Sequence, residues 1–202
     1  LTQHCSDNKA DRDIGEYWER QFCTMAAGYG LMFTPLQWNK TSSAVAAQRT
    51  PHGWHVLTLP DIAIWTAPGQ HHEIKHKSPT ANGNYGLEVY RFNALLDFAA
   101  ESGQAVMYTI HSHDLSGGRE VRRNDIAHWL TVNVFDLVEK QSATYDGPSW
   151  VNGIRKIVPI HYWHRSLWMS LADYWGQTIT QTSEWCADDR TYTDKRQAVE
   201  GW

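Results

Sequence analysis

Pro60-Asp61 opens a short apolar run, Ile62-Ala63-Ile64-Trp65. A turn-rich Thr66-Ala67-Pro68-Gly69-Gln70 separates it from a charged run, His71-His72-Glu73-Ile74-Lys75-His76-Lys77. That order predicts strand, turn, strand: a β-hairpin. Glu73 and Lys75 are two residues apart on the second strand, so they project from the same face. Asp61 stands at the start of the first strand, where the hairpin brings it towards them. Two carboxylates and a lysine on one face can hold a divalent cation beside a fixed one, chemistry suited to hydrolysing phosphodiesters. The competing reading is a surface hairpin with a cross-strand ion pair, worth about 0–1 kcal/mol.

At 202 residues the chain is long enough for one sizeable core and short for two ordinary domains, so a single domain over 1–202 is expected. Apolar content of 42% with 20% charged residues is that of a globular protein. No apolar run approaches the roughly 18–20 residues of a membrane span. The N-terminal residues lack the layout of a signal peptide. Cys5, Cys23 and Cys186 are odd in number, far apart and not at metal-type spacing, which points to a reducing, cytoplasmic setting. A net charge of −4 counts modestly against a nucleic-acid binder, although basic residues cluster locally.

Residues 1–13 are polar and expected to fray. Trp18, Phe22, Met25 and Ala26 recur at helical spacing from Gly15 to Ala27, and Gly28-Tyr29-Gly30 stops that helix. Leu31 to Trp38 reads as a strand, 41–51 as a loop or short helix, and Trp54 to Leu59 as another strand. Residues 78–84 form a loop by composition. One helical face runs through Leu87, Arg91, Leu95 and Phe98 towards Gly103, and Ala105–Ile110 follows as a buried strand. The succession predicts an α/β protein with a mixed sheet flanked by helices. Further on, 124–138 reads as helical or mixed, and Ile154–Ile160 as an edge strand because Pro159 cannot donate to a ladder. Tyr162 to Trp175 reads as an aromatic helix.

Pro60-Asp61, eleven intervening residues and Glu73-Ile74-Lys75 resemble the signature of the PD-(D/E)XK nuclease superfamily. Gly15-x-x-x-Glu19, with Gly30 eleven residues further, is similar to the first helix of its resolvase-like members. The helix around Leu95 and the strand Gln104–Ile110 fit the family's remaining αβ unit. The resemblance covers about 14–112, leaving 113–202 as an aromatic-rich C-terminal elaboration. It implies a restriction endonuclease-like core of order αβββαβ and a Mg²⁺-dependent DNA endonuclease in which Mn²⁺ substitutes. By that resemblance Asp61 and Glu73 are metal ligands, with the Ile74 carbonyl also in reach. Lys75 orients or activates the attacking water, and Glu19 completes the acidic cluster. Glu16 lies one turn away on nearly the same face, so either can point inward; the spacing from Gly15 and Gly30 favours Glu19. Many relatives carry a glutamine on the helix after the lysine strand, where this chain has Tyr90 and Arg91.

DNA is the implied partner, with contacts expected from Lys77 and Arg91 and from Gly117-Gly118-Arg119 with Arg122 and Arg123. Two-strand cleavage needs two sites, which by analogy with the fold points to a homodimer. A non-catalytic DNA-binding or assembly module with the same fold is the alternative. A third reading takes His111, His113 and Asp125, loosely similar to the ligand set of JAMM-type zinc hydrolases. His71 and His72 are expected to be exposed. Most of the eleven tryptophans, Trp18, Trp168 and Trp175 among them, are expected in the core rather than as base-stacking platforms.

Overall fold

The computed structural model describes residues 2–36, 45–50, 53–66, 69–116, 125–151 and 154–177. Helix α1 spans Thr2–Gly28, so it begins well before Gly15, in the segment expected to fray. Strand β1 (Phe33–Pro35) follows, then a hairpin of β2 (Val45–Thr50) and β3 (Gly53–Thr58). The expected loop or short helix over 41–51 is therefore a strand over its described part.

The predicted hairpin is present as β4 (Ile62–Ile64) and β5 (Gln70–Lys77), antiparallel with Ile62 opposite His72. Strand β6 (Asn84–Glu88) precedes helix α2 (Val89–Ser102), which Gly103 ends at φ 65° in the left-handed region. Strand β7 (Ala105–Ser112) returns parallel to β5, and a single helical turn α3 (His113–Ser116) follows. Strands β8 (Trp129–Asn133) and β11 (Met169–Ser170) extend the main sheet to the order β1-β4-β5-β7-β8-β11. This is a mixed sheet flanked by helices, and α1, β1, β4, β5, α2 and β7 give the expected αβββαβ order.

Strand alternation assigns the two faces. Val106, Tyr108 and Ile110 of β7 join α2's Leu95 and Phe98 in one core; β4's Ile62 and Ile64 and β5's Ile74 join α1's Trp18 and Phe22 in the other. Both faces of β5 and β7 are covered, which is why both strands are almost wholly buried.

A second sheet, β6-β10-β9, uses β9 (Ala143–Val151) and β10 (Ile154–His164). β10 is its central strand over 160–164, whereas 154–159 pairs with β9 alone and has the open edge that Pro159 predicts. Pro159 is tolerated because pairing with β6 stops at Ile160, one residue before the proline is reached. The expected helix over 162–175 resolves into the end of β10, a 3₁₀ turn at Arg165–Leu167, β11, and a helix only over 171–177. Trp18, Trp168 and Trp175 are buried, while Trp65 is half exposed.

Candidate active site

Asp61, Glu73 and Lys75 meet because of register. Ile62 faces His72, so one step back along the antiparallel pair Asp61 comes opposite Glu73, on the same face. Asp61 is held at three points. Its N–H donates to the His72 carbonyl (3.0 Å) and its carbonyl accepts from the Leu36 N–H (2.8 Å). Its carboxylate Oδ2 accepts from the Ile74 N–H at 2.7 Å. Lys75 Nζ lies 2.6 Å from Glu73 Oε1 and 3.8 Å from Asp61 Oδ2. The carboxylates are buried, whereas the lysine side chain keeps 31% exposure and opens the pocket to solvent.

Arg91 of α2 closes the pocket from behind. Its Nε donates to Glu73 Oε1 at 2.9 Å, one terminal nitrogen donates to Oε2, and the same nitrogen reaches the Leu59 carbonyl at 3.1 Å. This is a bidentate arginine–carboxylate fork. The expected DNA contact thus lies inside the protein, on the Glu73 carboxylate. Tyr90 turns outward, half exposed, towards Ser149.

Glu19 belongs to the turn of α1 whose Trp18 stacks on His111 and His76, with ring centroids 3.5 and 4.7 Å apart. That stack fixes the helix over the C-terminal ends of β5 and β7. Glu16, by contrast, pairs with Arg20 on the same helix at 2.6 Å.

The charges are unbalanced: three carboxylates, Glu19, Asp61 and Glu73, face two cations, Lys75 and Arg91. Burial works against ionised Glu73, but Arg91 and then Lys75 outweigh it and bring its pKa down to about 2. Burial, reinforced by Asp61, pushes Glu19 up to about 8. Burial, reinforced by Glu73, raises Asp61 to about 6. Lys75 is held protonated above its ordinary range: burial opposes its charge, and Glu73 and Asp61 more than compensate.

The donor set fits a magnesium ion, which takes oxygen ligands, keeps several waters and needs only one or two carboxylates. Surplus negative charge on Glu19 and Asp61 is what a dication relieves. Glu73 carries three N–H donors, which leaves about one of its roughly four acceptor sites. Among the described residues, no three His, Cys, Asp or Glu side chains are gathered so as to hold a metal unaided.

The other predicted residues lie elsewhere. His111 Nδ1 is 2.9 Å from His76 Nδ1, His113 Nδ1 is 2.7 Å from the Ser78 hydroxyl, and Asp125 caps a 3₁₀ turn by accepting from the Ala127 N–H at 2.9 Å. The His111 and His113 imidazoles both pack against His76, at ring-centroid distances of 5.0 and 3.7 Å, and with Asp125 they form no metal-holding group among the described residues. His71 and His72, expected at the surface, are buried, because β5 is an interior strand covered on both faces. His72 is fixed between Thr109 (2.8 Å) and Gln70 (3.0 Å), and burial takes its pKa from the usual 6.5 to about 3. Lys77 is half-buried, its charge set against Glu88. Arg119, Arg122 and Arg123 lie outside the described residues. Sequence reasoning missed Glu88, a partly buried acid beside Lys77 and Lys75 that accepts from the Ser149 hydroxyl at 2.8 Å. Its signal was weak: a carboxylate at the cap position of the helix that carries Arg91.

No protein-family model matches the chain, and no curated protein does. Among solved structures it is similar to Hjc, a Holliday junction resolvase from the archaeal hyperthermophile Archaeoglobus fulgidus. The likeness covers 80% of this chain and 95% of that one, at 13% identity and a TM-score of 0.45. Among the described residues, no helix is long and apolar enough to cross a membrane.

Proposed function

We propose that the protein is a metal-dependent DNA endonuclease of the PD-(D/E)XK kind, working in the cytoplasm and as a homodimer where both strands are cut. The observation that carries this reading is the pocket itself: Asp61 and Glu73 buried face to face, with Lys75 Nζ 2.6 Å from one and 3.8 Å from the other. Asp61, Glu73 and the Ile74 carbonyl are assigned as the oxygen donors for Mg²⁺, and Glu19 as the carboxylate that completes the cluster. Bound there, the ion supplies charge neutralisation at the phosphate and a more acidic water.

The chain's own residues do the rest. Lys75, protonated and partly exposed, presents its ammonium group to the charge that builds up on the phosphate oxygens. Arg91 holds Glu73 ionised and its carboxylate plane fixed. Glu19, with a pKa near neutrality, is able to hold or give up a proton at working pH.

Incubation of purified protein with supercoiled plasmid and with branched DNA, with Mg²⁺ and with EDTA, tests the reading. Nicked or linear product only with Mg²⁺ is the expected outcome. One observation favours a second reading, a DNA-binding module without catalysis: both Glu73 oxygens already accept from Arg91. Salt-sensitive binding with no product under Mg²⁺ or Mn²⁺ decides for it.

A further inference from the structure

The second sheet carries an overhang. β10 pairs with β6 only over Ile160–His164, while its outer half, Ile154–Pro159, pairs with β9 alone. Beyond the sheet this is a two-stranded ribbon, a form of marginal stability in water by itself. Ile154 and Ile157 of this half are 60% and 69% exposed, and Tyr145, opposite Ile160 at the inner end, is 67% exposed. Arg155 and Lys156 are exposed beside them. The ribbon's only described acid, Asp146, sits opposite Pro159 at its inner end, so the outer half carries net positive charge in a chain of net charge −4.

The outer half of this ribbon, at Ser149, is fastened to the rim of the pocket. Ser149 of β9 donates to Glu88, which also faces Lys77 and Lys75, and Tyr90 reaches the same serine. Lys156 stands directly opposite Ser149 in the register and so shares its face. Lys75, Lys77 and Lys156 therefore lead from the carboxylates out along the arm.

We propose that the β9–β10 ribbon is a nucleic-acid arm that enters a groove of duplex DNA, with Arg155 and Lys156 on backbone phosphates, and sets the duplex over the Asp61–Glu73–Lys75 pocket. This rests on the nuclease reading above for the nature of the partner. A two-stranded ribbon fits the major groove, and phosphate contacts fix register without reading bases. Ile157, two residues from Arg155 and so on the same face, supplies apolar surface that the groove covers.

The test compares wild type with Arg155→Glu/Lys156→Glu, and with the milder Arg155→Gln/Lys156→Gln, in fluorescence anisotropy on a labelled duplex in Ca²⁺ across a salt series. Mg²⁺-dependent hydrolysis of the small diester bis(p-nitrophenyl) phosphate is followed alongside. Expected are salt-dependent duplex binding by wild type and at least about a tenfold loss in the charge-reversed variant. The salt slope falls by about 2, and small-diester hydrolysis is unchanged. Equal duplex binding by wild type and variants overturns the arm and leaves the nuclease reading standing. A variant that changes oligomeric state while keeping its DNA affinity also overturns it, making the ribbon a contact between copies. Loss of duplex binding in the variants, with no plasmid cleavage by wild type under Mg²⁺ or Mn²⁺, sustains the arm and overturns the nuclease reading instead. Wild type that binds no duplex overturns both.

Discussion

Arg91 gives the pocket a property no neutral side chain supplies: a permanent positive charge locked on Glu73. Breaking a buried pair by removing one partner leaves an uncompensated charge. Arg91→Ala is therefore expected to destabilise the fold by about 3–5 kcal/mol in urea denaturation. Arg20→Ala, which removes the largely exposed pair with Glu16, is expected to cost about 0.3–0.5 kcal/mol for that pair and serves as the control. At the same scale, Asp61 and Glu19 keep a proton that a cation displaces. Mg²⁺ binding near neutral pH is expected to release about one proton, read by calorimetry in two buffers of different ionisation enthalpy. Heats independent of the buffer would contradict this. These residues were only partly legible in the sequence. Asp61, Glu73 and Lys75 announced themselves by alternation across a hairpin. The fork from Arg91 did not, because an arginine on a helix face usually reads as solvated until the opposing strand is known.

At the scale of elements, close approach rather than turn chemistry explains Gly86. A Cβ there would lie 2.8 Å from Tyr162 Cε1 and 2.9 Å from Ile160 Cγ2, across the β6–β10 pair that carries the ribbon. Gly86→Ala is expected to cost about 1–3 kcal/mol by overpacking, measured as a shift in urea midpoint. Gly103→Ala meets no neighbour and costs only the left-handed backbone, about 1 kcal/mol. The β4–β5 hairpin, α2 and β7 were readable because each buries one face or both, and burial writes a period into the sequence. Residues 144–146 of β9 and 154–157 of β10 are exposed on both faces and write none, so β9 was missed. Residues 162–175 misled for the opposite reason. Leu167, Trp168, Leu171 and Trp175 fall three and four apart, yet the spacing arises from a 3₁₀ turn, a short strand and a helix in succession.

For the whole molecule, the buried Glu73, His72 and Asp61 and the half-buried Glu19 dominate the dependence of stability on pH. Glu73 and His72 have depressed pKa values. Their contributions are present above their ordinary values and are lost as pH falls through about 2 and about 3. Asp61 and Glu19 have raised values. Their contributions are present below their ordinary values and are lost as pH rises through about 6 and about 8. Without metal, the protein is expected to be most stable on the acid side of about pH 5 and to weaken towards about pH 8. Mg²⁺ is expected to raise the thermal midpoint more at the alkaline end, where both carboxylates ionise. A metal-induced shift that does not grow with pH would contradict the assignment of Glu19 and Asp61.

The central claim is that this pocket hydrolyses phosphodiesters. The most direct measurement is Mg²⁺-dependent cleavage of supercoiled plasmid by wild type, Lys75→Ala and Asp61→Asn, prepared identically and shown by circular dichroism to be folded. Cleavage by wild type, with both variants reduced by about 10²–10³-fold or more, is the predicted result. Cleavage that survives both substitutions unchanged, or that is absent from wild type, contradicts it.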